Sequence, residues 1–163
     1  MNKKIRNATV TKKGNITFKS VLEKTIYNCL LEHGFEPEYE PTTFTLIDGF
    51  TAVTPFYDKE TDTQFRKRRE AGDNSPRRLV KKSGVMQGIR YTPDFHFKYK
   101  DLDVYIEAKG FENDVFYIKK KLFLRYLDSK GTNSMYFEVY TKKQVLQAIE
   151  IIKSYEPTTI HNT

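Results

Sequence analysis

The sequence predicts an α/β domain with a mixed central β-sheet flanked by helices, in the order α-β-β-β-α-β-α, interrupted by a long basic insertion. Three observations predict it. Apolar residues recur at helical spacing in three separated stretches, runs alternating apolar with polar residues lie between them, and residues 48–87 show neither period. Helical and strand periods that take turns along one chain mark a sheet with helices packed on it.

Residues 1–15 are polar and basic and are expected to form a flexible arm. Ile16–Gly34 is expected to be a helix, because Phe18, Val21, Leu22, Ile26, Cys29 and Leu30 share one face and Gly34 supplies a stop. On that face Cys29 is a core residue rather than a nucleophile, and His33 caps the last carbonyls. Tyr39–Ile47 has strand composition, with Phe44 and Leu46 alternating against Thr43 and Thr45. Residues 48–87 hold Gly, Pro, Asn and charge, with one short helical piece near 63–71. They read as a basic excursion from the core, either a functional loop or a tether that orders only on a partner.

Order returns at Arg90. Phe95, Phe97 and Tyr99 alternate with Asp94, His96 and Lys98, and after a polar turn Val104, Ile106 and Ala108 alternate with Tyr105, Glu107 and Lys109. The two runs read as a hairpin. Asp114–Ser129 is expected to be a helix with Val115, Ile118, Leu122 and Tyr126 inward and Lys119, Lys120 and Lys121 across its exposed side. A strand at Met135–Tyr140 follows. The last helix, Thr141–Ser154, has Thr141 as N-cap and Val145, Leu146, Ile149 and Ile152 as its apolar stripe, and the tail after Pro157 is expected to fray.

At 163 residues the chain is expected to be a single domain, and its 38% hydrophobic content with mean hydropathy −0.66 fits a soluble globular protein. One cysteine excludes an internal disulfide, and no apolar run is long enough for a membrane span or signal sequence, so a cytoplasmic setting is expected. The net charge is +7, and ten Lys or Arg against four acids between Lys59 and Arg90 concentrate +6 of it in one stretch. A solubility surface mixes its signs, whereas a cluster suits a polyanion whose counterions are released on contact. Arg66, Lys67, Arg68, Arg69, Arg77, Arg78, Lys81 and Lys82 are therefore the expected phosphate contacts.

The chemistry lies in the hairpin. Glu107 and Lys109 stand two apart on a strand and point into one space, and a matching register brings Asp94 opposite them. A slip of one residue would turn Asp94 away. Two carboxylates make a hard-oxygen site for Mg²⁺ or Mn²⁺, and the ammonium can orient a water or stabilise a phosphorane-like transition state. The plain alternative is a solvated face on an edge strand, with Asp94 a turn residue after Pro93.

Pro93-Asp94, followed thirteen residues later by Glu107-Ala108-Lys109, resembles the signature of the PD-(D/E)XK nucleases. The string TPDF, a short hairpin, then YIEAKG is similar to small phage endodeoxyribonucleases and Holliday-junction resolvases of that superfamily. The resemblance covers roughly residues 18–46 and 90–150 and implies a restriction-endonuclease-like core and Mg²⁺-dependent cleavage of DNA in phage recombination or DNA processing. It further implies Glu23 as an additional metal ligand from the first helix, the Ala108 carbonyl as another, and Lys119 and Lys120 against the DNA backbone. A junction substrate, needing two symmetric cuts, implies a homodimer, and phage origin implies the host cytoplasm. The competing reading is a non-catalytic DNA-binding subunit of a recombination or packaging complex.

Overall fold

Gly14-Asn15, with Gly14 at φ +56°, turns the chain between Thr11–Lys13 (β1) and Ile16–Phe18 (β2), which pair as a tight antiparallel hairpin. The expected helix from Ile16 therefore starts later, at Val21–Glu32 (α1), because the Ser20 side chain accepts the Glu23 N–H and fixes the N-terminus there. Val21 lies 54% exposed, off the face that buries Ile26, Cys29 and Leu30. His33 closes the helix as expected, its Nδ1 2.8 Å from the Cys29 carbonyl. The computed structural model describes residues 9–110 and 114–157. The start of the expected arm, residues 1–8, and the expected frayed tail beyond Pro157 lie outside the described residues. Glu38–Tyr39 (β3) and Phe44–Ile47 (β4) replace the single expected strand, because Glu40 takes φ +46° just before Pro41.

The chain forms two compact units, residues 47–89 and the remainder. Residues 47–89 hold short ladders that no hydrophobic period announces, together with the short helical piece expected near 63–71. Phe50–Thr51 (β5) pairs with Val85–Met86 (β8), and Phe56–Lys59 (β6) with Leu79–Lys82 (β7), both antiparallel. Between them Asp62–Glu70 (α2) carries a capping box from Thr61 and Gln64. Gly49 and Gly88 are required at the base of this unit: a Cβ on Gly88 would meet the Ile47 carbonyl at 2.7 Å and one on Gly49 the Met86 carbonyl at 2.8 Å.

Among the described residues no hydrophobic side chain of 47–89 is fully buried, and the unit is organised by charge. Arg68, 14% exposed in its side chain, holds Glu60 at 2.5 Å, Asp73 at 2.9 Å and the Ser75 and Pro76 carbonyls. Hydrogen bonds from the Ser75 hydroxyl and N–H push Asp73 down to about 2, with Arg68 and Arg78 assisting, and Arg68 lowers Glu60 as well. Both groups have depressed values in the fold. Their stabilisation is present above the ordinary carboxylate range and is lost as pH falls toward 2. Arg68→Ala is therefore expected to strip amide protection from 47–89 at neutral pH, and acidification of the wild type to do the same. Protection that persists in the variant would show that the ladders suffice.

In the larger unit, Ile89–Tyr91 (β9) pairs with β4 where the chain leaves and re-enters. Phe95–Tyr99 (β10) and Leu102–Ala108 (β11) form the expected hairpin, closed by Lys100-Asp101 with Lys100 at φ +56°. Asp114–Lys130 (α3), Ser134–Val139 (β12) and Lys142–Lys153 (α4) complete the chain. The mixed sheet runs β12-β11-β10-β3, with β12 parallel to β11 and the other pairs antiparallel. Both its faces are covered. Phe95, Phe97, Val104 and Ile106 pack with Ile26, Leu30, Val145, Ile149 and Ile152 from α1 and α4, while Tyr91 and Tyr105 pack with Phe116, Phe123 and Leu127 of α3.

This corrects the expected face of α3. Val115 and Ile118 are 58% and 55% exposed, and the inward stripe is Phe116, Phe123 and Leu127, about one residue's rotation away. Lys120 shares the Phe116 side at i, i+4, so the three lysines do not form one exposed cluster.

Candidate active site

The hairpin register pairs Phe95 with Ile106, so the next pair outward is Asp94 with Glu107. Pro93 is fully buried and fixes the entry to β10. The Asp94 Oδ2 accepts the Ala108 N–H at 2.7 Å, which anchors the carboxylate at the end of β11. Asp94, Glu107 and Lys109 therefore converge.

Glu107 is 6% exposed on a central strand, which removes the reading of this face as a solvated edge. A charge so placed requires partners. Its Oε2 accepts the Tyr91 hydroxyl at 2.6 Å and its Oε1 the Lys109 ammonium at 2.5 Å. Lys109 Nζ also lies 3.4 Å from the Phe116 ring centroid, a cation–π contact that fixes the ammonium beside the acids. Tyr91 in turn touches the Tyr136 hydroxyl at 3.1 Å. Burial, and the Glu107 charge after it, hold the Tyr91 hydroxyl far above its ordinary range, so it stays protonated as a donor.

Burial pushes Asp94 up to about 8, reinforced by the Glu107 and Glu23 charges and opposed by the Ala108 N–H and Lys109. A carboxyl raised toward neutrality by burial and like charge is a pattern shared by active sites and by structural charge networks.

Glu23 is 7% exposed and close enough to act on Asp94, but its oxygens are engaged. Oε2 accepts the Lys19 N–H at 2.8 Å and the Tyr39 hydroxyl at 2.6 Å, and Oε1 the Ser20 hydroxyl at 2.9 Å. It serves the start of α1 as well as standing beside the acids. His96 stacks on Tyr105 and holds Asp103 at 2.8 Å, a local structural role.

Three neighbours were not read from the sequence: Tyr91, Tyr136 and Glu138. Parallel pairing sets Glu138 directly beside Glu107, about 4.8 Å away by strand spacing. Glu138 binds Lys120 Nζ at 2.6 Å and the Tyr140 hydroxyl at 2.5 Å. The alternation of Tyr136, Glu138 and Tyr140 against Met135, Phe137 and Val139 carried this signal.

The expected DNA contacts divide. Arg68 is the internal hub of 47–89 and is corrected to a structural role, because its guanidinium is spent on Glu60, Asp73 and the backbone carbonyls of Asp73, Ser75 and Pro76. Arg66, Arg77 and Arg78 are paired with Glu70, Asp62 and Asp73. Lys67, Arg69 and Lys81 are exposed, Lys82 and Lys119 half-buried, and Lys120 is tied to Glu138.

Among the described residues no group of three or more His, Cys, Asp or Glu side chains is gathered to hold a metal ion. The donor chemistry of the pair fits one nonetheless: the buried Glu107 and the half-buried Asp94 are hard-oxygen donors whose charges repel, with Lys109 offsetting one of them. An extended residue turns its N–H and C=O toward the same neighbour, so the Ala108 carbonyl belongs to the Asp94 side. No family model, curated protein or solved structure gives a significant match to this chain. Among the described residues, no helix is long and apolar enough to cross a membrane.

Proposed function

We propose that the chain is a metal-dependent endodeoxyribonuclease with a restriction-endonuclease-like core, hydrolysing DNA phosphodiester bonds at Asp94, Glu107 and Lys109. The observation that carries this reading is the 2.7 Å bond from the Ala108 N–H to Asp94, which sets that carboxylate against the buried Glu107–Lys109 pair. Asp94, Glu107 and the Ala108 carbonyl would hold Mg²⁺ or Mn²⁺, with Glu23 as the outer acid. Such an ion supplies charge neutralisation at the scissile phosphate and a more acidic water.

The chain's own residues do the rest. Tyr91 holds Glu107 in one rotamer, and the Phe116 ring holds the Lys109 ammonium where it orients the attacking water and neutralises charge growing on phosphate oxygens. The water oxygen bonds to phosphorus, the bond to the leaving sugar oxygen breaks, and the displaced proton ends on that oxygen. DNA as the substrate is supported by the basic stretch between Lys59 and Arg90. Branched DNA, a homodimeric state and a phage setting rest on the PD-(D/E)XK resemblance.

The test is a gel cleavage assay on labelled junction, flap and linear duplex with Mg²⁺, Mn²⁺ or EDTA. Cleavage with metal and none with EDTA is the expected result. DNA that is retarded but never cut would replace this reading with the non-catalytic DNA-binding subunit.

A further inference from the structure

The arginines of 47–89 are largely consumed inside the unit, which leaves its lysines to face outward. The β6–β7 ladder pairs Tyr57 with Lys81 and Lys59 with Leu79, so these four side chains share one face of a two-stranded ribbon. The other face carries Phe56, Val80 and Lys82, all half-buried, together with the exposed Asp58. The outward face is open: Tyr57 is 56% and Leu79 74% exposed, Lys59 and Lys81 are exposed too, and neither lysine makes an ion pair among the described residues. An aromatic ring and a leucine on one diagonal are thus crossed by two unpaired ammoniums on the other.

Each half of this pattern has its own demand. The lysines complement a polyanion. The tyrosine ring and the leucine gain instead from an apolar partner that takes them out of water, and a flat aromatic one both stacks on the ring and covers the leucine. A nucleobase supplies that partner only when it is out of its duplex stack, with phosphates on either side within reach of the lysines. A smooth duplex would engage the ammoniums and leave the ring and leucine wet.

Resting on the reading of this chain as a DNA enzyme, we infer that the β6–β7 face binds unpaired nucleotides of DNA. A base stacks on Tyr57 against Leu79, and the flanking phosphates meet Lys59 and Lys81. The substrate class this adds is DNA with a single-stranded portion, such as a flap or an opened junction.

The experiment is fluorescence anisotropy on the full chain in EDTA, with a labelled oligothymidylate and a blunt duplex of the same length. Tyr57→Ala is expected to weaken oligothymidylate binding about tenfold while leaving duplex binding unchanged. Tyr57→Phe, which keeps the ring, is expected to bind as the wild type does. The double change Lys59→Gln with Lys81→Gln is expected to lower the salt dependence of oligothymidylate binding by roughly 1.4 in slope. Equal losses for both DNAs in Tyr57→Ala, no loss at all, or a wild type that ignores the oligothymidylate would each overturn the inference. EDTA keeps this separate from catalysis. A chain that cuts DNA but is indifferent to Tyr57→Ala is a nuclease without this contact, and one that binds through Tyr57 but never cuts keeps the contact and loses the nuclease reading.

Discussion

Glu107→Gln and Lys109→Ala are each expected to reduce metal-dependent DNA cleavage by about 10²–10⁴-fold, with the DNA affinity measured in EDTA retained below the melting temperature of each variant. The size follows from what each change removes. Glutamine keeps the shape of Glu107 and can still accept the Tyr91 hydroxyl, but it no longer offers the charge that pairs with Lys109. Removing Lys109 takes away the ammonium that lies 3.4 Å from the Phe116 ring and binds Glu107. Single-turnover cleavage with saturating enzyme isolates the chemical step from binding. A variant that cuts within a few-fold of the wild type would show that the reacting atoms lie elsewhere. Glu107→Ala is the less informative change, because it also removes the acceptor of the buried Tyr91 hydroxyl and leaves a void, and so mixes lost stability with lost chemistry.

The hairpin was legible because its two alternations are long and opposed, and the buried face of Phe95, Phe97, Val104 and Ile106 permits one register only. That register is what puts Asp94 beside Glu107. The last helix was legible for the same reason: one apolar stripe, with Thr141 and Gln144 forming a capping box at its start. The helix α3 misled because it is apolar on adjacent faces. Val115, Ile118, Leu122 and Tyr126 make as good a stripe as Phe116, Phe123 and Leu127, and only packing against Tyr91 and Tyr105 chooses between them. Residues 47–89 were opaque because hydrophobic periodicity reports burial and this unit buries little. Its order comes from ladders and the Arg68 hub, which no local period announces.

The same rotation of α3 bears on the site. With Phe116 inward, one ring carries Lys109, and Lys120 on the same side reaches Glu138 beside Glu107. Acids and ammoniums thus alternate across three neighbouring strands, Asp94, Glu107 and Glu138 with Lys109 and Lys120 between and beside them. Such interleaving limits the repulsion between the buried Glu107 and the half-buried Glu138 and leaves Asp94, whose carboxylate among the described residues accepts from one backbone N–H, as the acid that carries the excess.

That imbalance gives the second large effect. In EDTA at pH 9, Asp94→Asn is expected to be more stable than the wild type by a few kcal/mol, less than the full displacement would give at about 1.4 kcal/mol per unit, because Asp94 is only half-buried and Lys109 offsets part of its charge. The sign follows from the direction of the shift. Asp94 is raised from 3.8 to about 8 in the fold, so the native state holds a proton that the unfolded chain has released. Its stabilisation is complete below the unfolded value and is lost as pH rises toward 8. Asparagine does not titrate and can still accept the Ala108 N–H, so the difference between the two proteins should close at pH 4 and open on the alkaline side. Glu23→Gln should behave oppositely, melting lower than the wild type at neutral pH, because that carboxylate accepts from Lys19, Ser20 and Tyr39 at the start of α1. Mg²⁺ provides the matching readout without any cleavage: it should raise the melting temperature of the wild type and leave that of Asp94→Asn unmoved, since only the state that binds the ion gains from it. A wild type that is the more stable partner at pH 9, or an Asp94→Asn protein that Mg²⁺ stabilises equally, would remove Asp94 from the charge-deficient pair on which the proposed metal site depends.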